Sequence, residues 1–283
     1  MNARCLRAAC AASCLLACST NAFAIPFYAA NASGTLSRFD TVAPASAPSS
    51  TLAITGIGLG ETLIGIDIRP LDQKLYAITR DGGNNGRLYS VDFATAAATL
   101  VAPLSADPID LTVPYTSLSG STRFGMAFNP TVDRIRLVGD NGQNYRVNPS
   151  TGLVITDNDL NPGTPHVIAV AYTNSFTGST ATSLYDIDTT TDALNLQNPP
   201  NNGTLTQVGA GLGVNMVDLV GFDITTLGTT NYAYATALVG SSINLYSIDL
   251  VAGTATPLGN VNGNFQAIGI AIVADRLFAN GYE

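Results

Sequence analysis

The sequence contains no tryptophan, one histidine, one lysine and four cysteines, and those cysteines, Cys5, Cys10, Cys14 and Cys18, crowd into its first 18 residues. Beyond Cys18 there is material for neither a disulfide framework nor a thiol nucleophile. The single imidazole, His166, excludes a zinc site built from several histidines. A Ser-His-Asp triad would have to use that residue, with no Gly-x-Ser-x-Gly elbow to accompany it. Placed after Pro165 and before the apolar run Val167 to Tyr172, His166 reads as a loop or rim residue. Positive charge is also scarce: 12 Lys and Arg face 20 Asp and Glu, a formal net charge of −8. Such a surface repels phosphate backbones, which argues against nucleic acid as a partner. Past the N-terminal segment no apolar run approaches the ~20 residues of a membrane span, so a soluble chain with no transmembrane segment is expected.

The N-terminal segment has the three parts of a secretory signal. Arg4 and Arg7 supply the positive region, Ala8 to Cys18 the apolar region, and Ala22-Phe23-Ala24 a small-x-small cleavage site before Ile25. Cleavage there removes two basic and no acidic groups, leaving 10 against 20 and a net charge near −10. The expected location is secreted or periplasmic, with residues 25–283 as one domain. Leu15-Leu16-Ala17-Cys18 offers an alternative: a lipobox that would leave an acylated Cys18 and an outer-membrane lipoprotein.

From Phe27 onward, runs of Val, Ile, Thr, Tyr and Phe four to seven residues long are bounded by Gly, Asn, Asp and Pro, and no window of 12 or more keeps a 3.6-residue apolar period. The pattern is all-β. Phe93 to Leu100, Ala-rich but short, reads as a turn entering a strand. One element recurs as Leu-Tyr-x-[Val/Ile]-Asp at Leu88 to Asp92, Leu184 to Asp188 and Leu245 to Asp249, with weaker copies at Asn144 to Asn148 and Leu36 to Asp40. A second element, a short apolar strand led by Gly or Ala, recurs at Gly65 to Arg69, Gly125 to Asn129, Ala169 to Thr173, Gly221 to Thr225 and Gly269 to Val273. Repeats of this length signal solenoids or propellers.

The two series are offset. The chain starts on a Leu36 to Asp40 copy without its leading strand and finishes on a leading strand, Gly269 to Val273, without its partner. A β-propeller closed by pairing its last strand with its head explains the offset and removes the sheet edges that would invite aggregation. Five four-stranded blades of about 52 residues follow from the repeat count. Six blades are the alternative, if Ala106 to Ser119 pairs as extra strands. In each copy the period of two puts Leu88, Ser90 and Asp92 on one face and Tyr89 and Val91 on the other, and the final Asp accepts N–H bonds in the turn after it. The insertions at Ala106 to Ser119, Asp157 to His166 and Asn195 to Gly203 are the loops in which to seek a binding surface.

In and around the central stretch the chain resembles a secreted bacterial family, the domain of unknown function 4394. The residues carrying the likeness are Gly65-Ile66-Asp67-Ile68-Arg69-Pro70 with Leu75-Tyr76, Phe128-Asn129-Pro130, Asp133 to Arg136, Gly142 to Arg146, Ala171-Tyr172-Thr173-Asn174, Leu184 to Asp188 and Gln197 to Asn201. The likeness runs from about Ile57 to the C-terminus. It implies no activity and transfers no catalytic role. The tail Asp275 to Glu283 resembles an ending found on many secreted bacterial proteins.

Two groups of side chains have the chemistry of a site. Asn129, Asp133, Arg134, Arg136, Asn144, Arg146 and Asn148 gather three arginines and an aspartate in one blade, where guanidinium forks suit an anion or carboxylate. The structural reading has Arg136 and Arg146 pairing with acids of the next blade instead. Asp67 and Asp223 hold the same place in two leading strands, with Arg69, Asn129, Thr173 and Thr225 two residues on, so these side chains would converge on the propeller axis. With Asn174, the candidate ligand-binding residues are Asp67, Arg69, Asn129, Arg134, Arg136, Arg146, Asn174 and Asp223. No cofactor is expected. Calcium is the one metal suited to the oxygens of Asp157-Asn158-Asp159 and Asp140-Asn141-Gly142, although neither completes a calcium loop. Gly56 to Gly60 and Gly209 to Gly213 open no helix and read as blade-to-blade connections.

The first functional expectation is a non-enzymatic, monomeric binding or interaction module for a small molecule, glycan or protein. The second is a propeller hydrolase or lyase acting on a glycan or lactone, with Asp67 and Asp223 as acid and base at the channel mouth. Carboxylates about 5 to 10 Å apart beneath an open cleft favour the enzyme, and a pair brought together with no cleft above it favours the binder. A quinone dehydrogenase ranks last for want of tryptophan.

Overall fold

β-Branched and aromatic residues with a two-residue period fold, among the described residues, into 21 short strands, separated by turns that an Asp or Asn side chain often closes. Asp92 Oδ1 accepts the N–H groups of Ala94 and Thr95, and Asp249 Oδ1 those of Val251 and Ala252. The structure, a computed structural model, describes residues 24–273. The secretory signal, the Cys18 lipobox and the tail Asp275 to Glu283 lie outside the described residues.

Five sheets ring a common axis. Blade 2 contains β4 (Thr62–Ile68), β5 (Leu75–Arg80), β6 (Gly86–Val91) and β7 (Ala98–Pro103). Blade 3 contains β9 (Phe124–Asn129), β10 (Arg134–Gly139), β11 (Asn144–Val147) and β12 (Leu153–Thr156), edged by the two-residue β8 (Ser105–Ala106). Blade 4 contains β13 (Val167–Tyr172), β14 (Leu184–Asp188), β15 (Ala193–Gln197) and β16 (Leu205–Gln207), and blade 5 contains β17 (Asp218–Leu227), β18 (Thr230–Val239), β19 (Ser242–Ile248) and β20 (Ala255–Asn260). Blade 1 joins the two ends of the chain: β1 (Pro26–Asn31), β2 (Thr35–Asp40) and β3 (Ser50–Ala53) are completed on the inside by β21 (Ala267–Ile272). The ring closes as expected, with Tyr28 opposite Ala271 in an antiparallel pair. The direct partner of β21 is β1, and Leu36 lies one strand further out.

The insertion at 106–119 gives only Ala106 to a strand, the end of β8, which runs parallel to β12, so the blade count is five. The insertion expected from Asn195 begins later, since Asn195 to Gln197 are the end of β15. The segment from Phe93 is a turn leading into β7. Gly56 to Gly60 and Gly209 to Gly213 fall between β3 and β4 and between β16 and β17, as the blade-to-blade reading has it. The repeat is displaced once: Leu-Tyr-x-[Val/Ile]-Asp occupies the third strand of its sheet in blades 2 and 5 but the second strand, β14, in blade 4.

The innermost strands are buried on both faces, which is why they read as nearly unbroken apolar runs. Between blades the packing is apolar at four interfaces, each with ten to fifteen buried apolar residues among the described ones. Tyr76 meets Phe128 edge to face at 5.3 Å across blades 2 and 3, the kind of aromatic contact that replaces tryptophan here. The interface between blades 3 and 4 has only seven such residues: Ala127, Val138, Leu160, Val167, Val170, Tyr172 and Leu184. Polar side chains fill the remainder.

Candidate functional site

The leading strands begin on Gly or Ala because they come together on the axis. A Cβ on Gly125 would stand 2.9 Å from the Cα of Ala169, and one on Gly221 3.0 Å from the carbonyl carbon of Gly269. These backbones leave about 10 Å³ of space at that level, room for no more than a water molecule. Midway along the axis Asp67 and Asp223 are buried, and each acts as a clasp between blades. Asp67 accepts the N–H of Ile68 at 2.7 Å and of Phe128 in blade 3 at 2.5 Å. Asp223 accepts the N–H of Ile224 at 2.7 Å and of Ile272 in blade 1 at 2.6 Å. Burial, then the charge of Asp223, raises the Asp67 pKa well above the carboxylate range, and burial lifts Asp223 to about 7.

The far end of the axis is covered. The loop 173–183 between β13 and β14 anchors on blade 5, where Asn174 N donates to Asn231 Oδ1 at 2.9 Å and Ser175 N to Thr226 Oγ1 at 3.1 Å. It then reaches past blade 3, where Thr177 Oγ1 donates to the carbonyl of Pro70 in blade 2. Asn174 therefore positions this loop, its own Nδ2 holding the carbonyl of Ala181. Arg69, at the end of β4, makes a two-pronged pair with Asp133 of blade 3 at 2.8 and 2.5 Å and reaches Asp72 at 3.2 Å. Arg134 donates to the carbonyl of Asp133. These three candidate residues fasten turns together.

Arg136 and Arg146 meet in the polar interface between blades 3 and 4. Both grip Asp157: Arg136 Nη1 at 2.7 Å, Arg146 Nε and Nη2 at 2.8 Å each. Asp157 follows β12, so the acid comes from their own blade and not from the next one. What blade 4 contributes is amide and phenol. Arg136 Nη2 donates to Asn201 Oδ1 at 2.9 Å, Asn144 Nδ2 to the carbonyl of Pro200 at 3.0 Å and Gln197 Nε2 to that same carbonyl at 2.6 Å, with the Tyr172 phenol beside Arg136. Four buried atoms in this interface have no hydrogen-bond partner: Arg136 Nε, Gln197 Oε1 and both carboxylate oxygens of Asp186. Each such orphan costs ~1–3 kcal/mol. Burial raises the Asp186 pKa well above the usual carboxylate range, while Arg136 opposes the rise.

Beside this interface, where β9 and β13 end, a cleft of about 500 Å³ opens. Asn129, Thr131, Tyr172, residues 180–184, Leu196, Gln197, Asn198 and Pro200 line it. Among the candidate residues only Asn129 reaches the cleft, its Oδ1 turned back to the N–H and hydroxyl of Thr131 at 2.9 and 2.7 Å.

One family model, the domain of unknown function DUF4394, matches residues 35–271. The chain belongs to the DUF4394 family. None of the curated proteins compared with it matches. Among solved structures this DUF4394 chain is similar to a structural-genomics protein of unknown function from Bacteroides thetaiotaomicron, with a TM-score of 0.50 and 14% identity over 81% of this chain and 56% of that one. It is also similar to TolB from Acinetobacter baumannii, with a TM-score of 0.48 and 13% identity over 84% of this chain and 53% of that one. The chain spans little more than half the length of these two proteins, and at such identities the likeness is one of fold.

The remaining candidate groups of the DUF4394 chain are engaged locally. Asp140 takes the N–H groups of Thr122 and Arg123 at 3.0 Å each, and among the described residues no three acidic, histidine or cysteine side chains gather as a metal site would need. His166 stands at a rim, its Nδ1 2.9 Å from Thr189 Oγ1. No helix among the described residues is long and apolar enough to cross a membrane. Tyr172, Asp186 and Gln197 all lie inside stretches that carry the family likeness, but only the fold brings Tyr172 and Gln197 to one floor with Asp186 in the same interface.

Proposed function

We propose that the chain is a non-catalytic binding module, exported from the cell, whose ligand occupies the cleft between blades 3 and 4. The observation that carries this reading is the cleft's lining: amides and hydroxyls wall it, and its lining residues include no carboxylate and no imidazole. Acid-base catalysis needs a titratable group within reach of the reacting atoms. Asp67 and Asp223, the pair the hydrolase reading would use, each accept two backbone N–H bonds inside the ring beneath the loop 173–183. Export is supported by the signal pattern before Ile25, and mass spectrometry of the mature N-terminus would distinguish Ile25 from an acylated Cys18.

The binding reading is tested by filling the cleft. Thr182→Trp places an indole at its wall and gives up one hydrogen bond, from Thr182 Oγ1 to the carbonyl of Thr173, while the loop keeps its anchors at Asn174, Ser175 and Thr177. Binding to an array of oligosaccharides and peptides is expected for the native protein and lost in the variant, with the melting temperature lowered by only about 2–4 °C. Turnover of aryl glycosides or lactones that disappears in Asp67→Asn would overturn the reading in favour of the enzyme.

A further inference from the structure

The floor of the cleft carries a matched acceptor and donor. Gln197 is 1% exposed, and its Nε2 is committed to the carbonyl of Pro200 and, at 3.4 Å, to Asn144 Oδ1. That fixes the amide's orientation and leaves Oε1, a buried acceptor without a protein partner, in a residue that lines the cleft. Tyr172, 3% exposed, lines it too, beside Arg136. A guanidinium carries only donors and cannot accept the phenol O–H, which remains to donate. Resting on the cleft as the binding site, we infer that its ligand is a neutral glycan, one of whose hydroxyl groups donates to Gln197 Oε1 while a neighbouring oxygen accepts from the Tyr172 hydroxyl.

The charges behind the floor select against cations, and the acceptor on it against anions. Arg136 and Arg146 share a single partner, Asp157, so an excess of positive charge lies under Tyr172 and repels an ammonium donor. Burial raises the pKa of Asp186, the other acid in this interface, well above the carboxylate range, which weakens its opposition to that excess. A carboxylate or sulfate, which only accepts, leaves Gln197 Oε1 unpaired and faces it oxygen to oxygen. A hydroxyl both donates and accepts and so matches the pair.

The walls agree with a sugar better than with a peptide. An extended peptide is held through free backbone groups at a sheet edge. Here the wall loop uses its own: the carbonyl of Ser183 takes the N–H of Thr173, and that of Ala181 takes Asn174 Nδ2 and Ser179 Oγ. What remains for recognition is the hydroxyl groups of Thr180 and Ser183, with the acceptor lone pairs of Thr131 and Thr182, whose own O–H groups bind Asn129 Oδ1 and the carbonyl of Thr173. The volume, about 500 Å³, suits a short oligosaccharide.

The test is calorimetric titration of the full chain with cellotriose, maltotriose, chitotriose, trigalacturonate and triglycine. At least one neutral trisaccharide should bind, and trigalacturonate should bind at least tenfold more weakly. Gln197→Met, which keeps the shape and loses Oε1, and Tyr172→Phe should each weaken the sugar about tenfold or more, and Thr182→Trp should abolish binding. Should either floor variant fail to fold, the comparison of neutral and acidic trisaccharides still decides. If trigalacturonate or triglycine binds best and Thr182→Trp abolishes it, the glycan inference falls and the cleft stands. If sugar binding survives Thr182→Trp, or no probe binds, both fall.

Discussion

Asp67 and Asp223 repel one another across the axis while performing the same task, each drawing an N–H of the next blade's innermost strand onto its carboxylate. The pair makes stability depend on pH in a stated direction. The folded pKa is raised, to about 7 for Asp223, above the ~3.9 of an unfolded aspartate. The folded state therefore holds a proton that the unfolded state releases. The resulting stability is complete below about pH 4 and is lost as the pH rises through about 7. Urea denaturation at pH 5 and pH 8 should give a lower midpoint at pH 8, and Asp223→Asn should shrink that difference. An unchanged difference in the variant would remove the pair as its cause.

The two arginines on Asp157 should differ sharply in worth. Arg136 is buried and also holds Asn144 and Asn201, so Arg136→Met leaves two amide oxygens without that donor and Asp157 with Arg146 alone, and should destabilise by roughly 2–4 kcal/mol. Arg146 is partly solvated, and Asp157 keeps Arg136 when it is gone. Arg146→Met should destabilise by about 1 kcal/mol. Denaturant titration of both variants checks the ranking, and equal losses would refute it.

A methyl group at the axis should be felt around the ring. In Gly125→Ala the new Cβ would lie 2.9 Å from both Ala169 Cα and Val170 N, so the innermost strands of blades 3 and 4 must separate. A loss of roughly 1–3 kcal/mol is expected, with earlier hydrogen exchange in β13 than in β19.

The architecture was legible because each blade repeats one local rule: an apolar strand led by a small residue, then a strand closed by a turn-capping Asp or Asn. The site was less so, and Asp186 shows why. The same motif position holds Arg38, Ser90, Arg146 and Ser247 in the other blades, all half-buried, and Asp186 looks like one more of them. Its copy lies on the second strand of its sheet and not the third, which carries the carboxyl into the interior. Nothing in five letters of sequence reveals a strand's rank. Arg136 and Arg146 are visible as a cluster, but their acid, Asp157, falls in a loop insertion whose oxygens also suit calcium without completing a calcium loop. Gln197, in a stretch read as an insertion, gave no sign that its carbonyl would face a cleft.

The pairing of Tyr28 with Ala271 also governs how the molecule is made. Three strands of blade 1 are present from the start of synthesis and wait, with one edge unsatisfied, for a fourth that emerges only after the four other blades have been translated. Until then the polypeptide is an open arc whose first and last sheets lack their lateral neighbours. Completion demands contact between residues almost the whole chain apart, which makes this step the slow one in refolding and the arc the species most prone to associate with its own kind.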